Sequence, residues 1–306
     1  LYMTEPNAEP AALNTVISQT RPLASDLTQN PNLAAAQELI ELRYDGDPRY
    51  FAIPSVDDLD TFGLERGREI FAEHFGDASD FVFVFAGDFD PDEIERLSAR
   101  YLGTLPADGV EDEFADTAPA PPTTPTRGEV QAGTEQGSVT YLWNAPANYD
   151  ETTRMTMRYL EIIVAQRLRV LLREQLSATY SPFVSMTLNE LPRPTIDTYL
   201  QIGSDPERLP EVIDALRANL DDLRATGPTG SEFATAREQL TSEFQLVDNG
   251  LYMDALLYYT THPNEDPNEL GARPLLVGRI SAADVQALAA AILPANAYVE
   301  VTLTPR

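Results

Sequence analysis

The chain has 306 residues, with 21 basic residues, all Arg, against 49 Asp and Glu, a formal net charge of −28. Such a surface repels nucleic acid and anionic membranes, and the absence of Cys excludes disulfides, thiolate metal sites and a Cys nucleophile. The length allows about two domains, the apolar content of 43% is enough for a packed core, and no run approaches the ~20 apolar residues of a membrane span.

A lysine-free, carboxylate-covered chain with well-formed periodic segments fits a high-salt environment, where screening removes self-repulsion. No basic region followed by an apolar core opens the chain, so no leader peptide is visible. The opening Leu1-Tyr2-Met3-Thr4 resembles the end of a strand and reads as part of a longer polypeptide.

Residues 6–28 read as a helix carrying Leu13, Val16, Ile17, Leu23 and Leu27, with Pro22 expected to kink or interrupt it. Asn30-Pro31 starts a second helix, with Leu33, Leu39, Ile40 and Leu42 as apolar positions. Residues 45–48 form a turn. Ser55 and Asp58 form a capping pair for a helix to about Phe75. Residues 81–87, Phe-Val-Phe-Val-Phe-Ala-Gly, predict a strand buried on both faces. Asp90-Pro91-Asp92-Glu93 opens a helix to about Leu102. The acidic and then Pro/Thr-rich stretch 107–128 reads as an extended linker.

Beyond it, Val130 and residues 138–143 suggest a strand pair. Residues 151–174 give the longest helix, with Met157, Leu160, Val164, Leu168 and Leu171 as its buried stripe. It carries Arg154, Arg158, Arg167, Arg169 and Arg173, expected to be solvated or paired with carboxylates. Val184, Met186 and Leu188 alternate in one strand, and Ile196, Thr198, Leu200 and Ile202 in the next. Helices follow over 205–225, 231–247 and 251–261. A Pro-rich turn spans 263–267. A helix capped by Ser281 and Asp284 runs to Leu293, and a closing strand covers 298–303.

The order of elements repeats. Residues 205–303 run helix, helix, helical insertion, capped helix, strand; residues 6–87 run helix, helix, turn, capped helix, strand. Residues 1–108 therefore read as the C-terminal part of an incomplete domain, 109–127 as linker, and 128–306 as a complete domain of the same α+β plan.

The stretch 171–181, Leu-Leu-Arg-Glu-Gln-Leu-Ser-Ala-Thr-Tyr-Ser, places Arg173 in the last turn of the long helix. Tyr180 opens the following strand. A cation and a phenol on two rigid elements suit the binding of a peptide carbonyl or a developing oxyanion. The plainer reading makes Arg173 a helix C-terminal charge and Tyr180 a half-buried strand aromatic.

This R-x6-Y pattern after a long helix resembles the substrate-gripping element in the C-terminal half of the M16 zinc peptidases. The run Val-Phe-Ala-Gly-Asp-Phe-Asp-Pro-Asp with Tyr-Leu-Gly-Thr-Leu-Pro, within residues 81–106, is similar to the strand–helix ending of M16 domains. The resemblance implies an α+β fold of repeated domains, each a mixed, mainly antiparallel sheet with helices packed on one face. It implies a clamshell enzyme whose N-terminal half carries zinc on H-x-x-E-H, with the Glu as general base on zinc-bound water. The C-terminal half would contribute Arg173 and Tyr180. On that reading this chain is inert alone, holds no cofactor, and partners an N-terminal M16 half, in the same polypeptide or a partner subunit, and a peptide substrate. The family resemblance favours a periplasmic or cell-envelope location.

No H-x-x-E-H occurs in the chain. Glu73-His74 would supply its last two letters, but Ile70 stands where the first His belongs. His74 reads as a helix-face residue and His262 as a helix-end residue. No G-x-S-x-G elbow appears, and in so acidic a chain paired carboxylates carry no information. Two rival readings stand beside the peptidase: a non-catalytic M16-like binding or assembly subunit, and a salt-adapted α/β domain of unrelated function.

Overall fold

The computed structural model describes residues 3, 6, 9–79, 81–107, 109, 114–175, 182–244, 249–262 and 269–306. Helices α1 (Pro10–Ser25), α2 (Pro31–Tyr44), α3 (Val56–Thr61), α4 (Leu64–Phe75) and α5 (Pro91–Tyr101) occupy the first third. Strands β1 (Thr126–Ala132) and β2 (Gly137–Pro146) lead into α6 (Glu151–Val170) and a π turn (Leu171–Gln175), followed by β3 (Phe183–Asn189) and β4 (Thr195–Ser204). Then come α7 (Leu209–Thr226), α8 (Gly230–Glu243), α9 (Asn249–Thr261), α10 (Glu269–Arg279), α11 (Ala282–Ile292) and β5 (Val299–Pro305). The chain forms two compact units: residues 1–25, 54–114 and 246–270, and residues 26–53, 115–245 and 271–306.

The second unit is built on a five-stranded sheet in the order β1-β5-β2-β4-β3. β1 runs parallel to β5, and the other pairings are antiparallel. The strand pair expected from β1 and β2 is therefore corrected. The closing strand β5 slots between them, pairs with both and is buried on both faces: Val299 and Val301, each 1% exposed, lie on one face, and Tyr298 and Glu300, 7% and 5% exposed, on the other. β3 and β4 pair as expected across the 190–194 hairpin.

The main core lies on one face of this sheet. Met157, Leu160, Val164, Leu168 and Leu171 all bury there, as the 3.6-residue spacing requires. Leu216, Leu223, Val285 and Ala289 from α7 and α11 join them. Two large buried polar tips are satisfied: Tyr159 OH donates to Val277 O at 2.8 Å, and Trp143 Nε1 donates to Pro294 O at 3.1 Å. α2 adds a patch of cover on the opposite face, where Ala35 and Leu39 meet Val299 and Val301. Gly128 of β1 permits that approach, since a Cβ there would lie 2.8 Å from Leu42 Cδ1 and closer still to Glu38. Residues 115–125 carry no helix or strand, but Asp116 pairs with Arg193 at 3.0 Å, and Thr117 O accepts from Arg49 Nη2 at 3.0 Å.

In the first unit, α1 packs on α3, where Leu59 is 2% exposed and Arg21 pairs with Asp60 at 2.5 Å. α1 continues through Pro22 to Ser25, contrary to the expected interruption; Pro removes one bond near a helix end that is about to stop anyway. The single helix expected to Phe75 is two, broken at Phe62-Gly63. Residues 81–87 are not a strand: Phe81 N makes a turn bond to Ala78 O at 3.2 Å, and no described strand lies alongside to form a ladder. Their rings instead continue an aromatic row, Phe71–Phe75–Phe81–Phe83. α4 and α5 bury none of their residues.

Candidate functional site at the end of α6

Asp150 caps α6 by accepting from Thr153 N at 2.7 Å, and the apolar stripe then holds the helix down for five turns. At its end the backbone widens into the π turn, a distortion that often marks functional positions in helices. Leu171 and Leu172 remain buried at 3% and 0% exposure, and Arg173 turns outward into solvent. Arg173 makes no hydrogen bond or ion pair with a described residue. It is thus a cation fixed by a buried helix end and open to a ligand. Tyr180, the second residue singled out by the sequence, lies outside the described residues. The chain resumes in β3, the edge strand of the sheet, where Phe183 is 57% exposed and sets its ring edge-on to Tyr199 at 5.8 Å.

The five arginines of α6 divide sharply. Arg154 pairs with Glu151 at 3.2 Å, and Arg158 bridges Glu161 at 2.5 Å and Glu243 at 3.0 Å. Arg169 is exposed like Arg173. Arg167 is different: its side chain is 6% exposed and ties α6 to the α7–α8 junction. It donates to Asp222 at 2.9 Å, to Gly227 O at 3.1 Å and to Glu232 Oε2 at 3.0 Å. Its Nε lies 2.8 Å from Glu232 Oε1, close enough for attraction but out of line for a hydrogen bond. Burial pushes Glu232 up, but Arg167 and the Thr229 N–H outweigh it and hold the carboxyl below its ordinary value. Sequence reasoning treated Arg167 like its neighbours; its place on the apolar stripe beside Leu168 was the available signal.

A second polar cluster also escaped the sequence. Glu300 of β5, 5% exposed, takes Arg217 Nη2 at 2.5 Å and Arg127 Nε at 3.4 Å. Arg127 also donates to Tyr298 OH at 2.6 Å, and Arg217 donates to Tyr141 OH at 3.1 Å. Burial, then the hydrogen bond to Glu300, pushes the Tyr141 phenol far up, so it stays protonated. Arg127, Arg217 and Glu300 line a cleft of about 560 Å³ beside β1, together with Glu129 and Asp214, so two arginines face three carboxylates. The signal was a lone Glu in the apolar strand Tyr298-Val-Glu-Val.

The two histidines do not converge. His74 sits on α4. His262 follows α9, stacks on Tyr258 at 4.3 Å and contacts Tyr258 O through Nδ1 at 2.8 Å. Among the described residues no group of three His, Asp or Glu side chains could hold a metal ion. No single described helix is long and apolar enough to cross a membrane.

Residues 62–240 match the family model described as the peptidase M16 inactive domain, which covers more than half of the chain. The chain belongs to the M16 peptidase family. Over 169 residues it is 25% identical to the probable zinc protease PqqL of Haemophilus influenzae, covering 55% of this chain and 18% of that protein. The fold agrees. The periplasmic protease PqqL from Escherichia coli superposes with a TM-score of 0.77 at 18% identity, over 97% of this chain and 33% of that one. A peptidase M16 inactive domain from Pseudomonas fluorescens gives 0.81 at 17% identity, over 99% and 72%. This M16 chain thus spans about a fifth of its curated relative and a third of the Escherichia coli protease.

Proposed function

We propose that this chain is the C-terminal, substrate-binding portion of an M16 zinc peptidase. It would cleave peptides only together with an N-terminal half carrying H-x-x-E-H. Arg173 and Tyr180 would hold the substrate backbone and donate to the oxygen that gains charge as the scissile carbonyl is attacked. Zinc bound in the other half would supply the activated water. The family architecture would divide the chain into an incomplete domain over 1–108, a linker over 109–127 and a complete domain over 128–306.

The observation that carries this reading is the exposed Arg173, which has no partner among the described residues and directly follows the buried Leu171 and Leu172. Every other arginine on α6 except Arg169 is engaged. The planar donors of the Arg173 guanidinium match a carbonyl or oxyanion, and its place at the end of the long helix sets it apart from the equally exposed Arg169. The test is steady-state hydrolysis of a fluorogenic peptide by the longer natural protein. Tyr180→Phe and Arg173→Ala are each expected to lower kcat/KM by ~10²-fold or more, the order of one lost oxyanion donor. Unchanged rates would remove both residues from the reaction.

A further inference from the structure

β1 is an edge of the sheet, and β5 is its one neighbour among the described strands. Across that parallel pair Thr126 N donates to Tyr298 O at 2.9 Å, so the backbone groups of alternate residues face β5. Those of Arg127, Glu129 and Gln131, which lie between, point away from the sheet and have no partner among the described residues. An open edge of this kind is a template for an added strand.

The same strand bounds the cleft of about 560 Å³. Its opposite wall is one stripe of α7, with Leu209, Ile213 and Arg217 spaced four residues apart and Pro210 beside them. A groove with an edge strand on one side and a helix on the other is where an extended peptide can add a strand and set alternate side chains against the helix. The floor holds fixed charge: Glu300, 5% exposed, is tied to Arg217 at 2.5 Å and Arg127 at 3.4 Å. Glu129 of β1 and Asp214 of α7 are exposed, and neither makes a hydrogen bond or ion pair with a described residue. With two arginines against three carboxylates, the cleft lacks one positive charge.

We propose that the β1 edge and its cleft bind an extended peptide segment that carries an Arg or Lys between apolar side chains. The segment adds a strand beside β1. Its basic side chain meets Glu129 and Asp214, and the apolar side chains two positions to either side pack on Leu209, Pro210 and Ile213. Charged side chains on an edge guard a sheet against chance pairing. Here Arg127 is already engaged, so the guard that remains is negative and admits a strand of opposite charge while rejecting acidic ones. A second copy of this chain is a poor occupant, since each copy carries a net charge of −28. The proposal goes beyond the peptidase reading and requires neither zinc nor Arg173 nor Tyr180.

The test is fluorescence anisotropy with a labelled Thr-Val-Thr-Arg-Thr-Val-Thr peptide titrated with the 306-residue chain. Saturable binding is expected, at least ~10-fold weaker for the peptide with Glu in place of Arg. Asp214→Arg should weaken binding of the Arg peptide at least ~10-fold and strengthen that of the Glu peptide. Glu238→Arg makes the same change in net charge on the exposed side of α8 and should alter neither. Equal effects of the two reversals would mean attraction to net charge alone and would overturn the proposal. Saturating peptide should slow NMR amide exchange at Arg127 and Glu129 at least ~10-fold, the mark of new strand hydrogen bonds; unchanged exchange would overturn it. Arg173→Ala should leave this binding intact, which separates the claim from the peptidase reading; a loss would put the peptide at the end of α6 and sink the proposal. Slow exchange at the same amides without peptide, growing with protein concentration, would mean that a second copy fills the edge and would also overturn it.

Discussion

Arg167 and Arg173 are six residues apart on one helix and have opposite environments. Arg167 is buried because the helix period puts it beside Leu168, and it survives there only by meeting two carboxylates and a carbonyl. Replacing it by Met keeps the stem volume and removes the charged hydrogen bonds. We expect Arg167→Met to cost about 2–3 kcal/mol of unfolding free energy at pH 7, the scale of charge-assisted hydrogen bonds lost from a buried site. Urea titration reads this directly. The sign of its pH dependence follows from Glu232, whose carboxyl is held below the ordinary 4.5. A depressed carboxyl contributes stability that is fully present above its unfolded value and lost as pH falls through its folded value. The gap between wild type and variant should therefore shrink on titration from pH 6 toward pH 3. A constant gap would mean that Glu232 is not held by Arg167. The sequence made the five arginines of α6 visible, and their helix, but not which one the core would take in, because charge count carries no information about depth. Arg173 was legible from its position at the end of the stripe; the Glu300 cluster needed residues from β1, β2, α7 and β5, scattered over the whole second half of the chain.

At the scale of elements, what the sequence specifies locally is what the structure keeps. Capping boxes at Ser55 and Ser281, the Asp90-Pro91 start of α5, the stripe of α6 and the alternation of β3 and β4 all depend on residues within a few positions of one another. Ser281 illustrates the energy involved. Its hydroxyl accepts from Asp284 N at 3.2 Å, while Asp284 accepts from Ser281 N at 2.8 Å. α11 carries Val285, Ala289 and Ile292 into the core, so loosening its first turn is felt by the second unit. Ser281→Ala is expected to lower stability by about 1 kcal/mol, read as a shift in the urea midpoint by fluorescence of Trp143, the single Trp. What the sequence could not specify is who neighbours whom. The period of two in β1 and β2 says that each is a strand but not that β5 comes between them. The apolar run at 81–87 has strand composition, yet composition alone provides no ladder partner.

At the scale of the whole molecule, packing and sequence order divide the chain differently. α2 lies early in the chain but covers Val299 and Val301 at its end, so residues 26–53 fold with the sheet of the second unit. The sheet supplies a rigid base and α6 a long lever whose far end presents Arg173, an arrangement suited to holding a ligand. The account places the grip on substrate in this chain and the metal with its water in another segment of the protein. The most direct measurement is zinc-dependent peptide hydrolysis by three samples: this chain alone, a half carrying H-x-x-E-H alone, and the two combined. The account predicts no turnover by this chain, at most weak turnover by the other half, and restored turnover on combination that Arg173→Ala abolishes. Turnover by this chain alone, or a combined rate no greater than that of the other half, would contradict it.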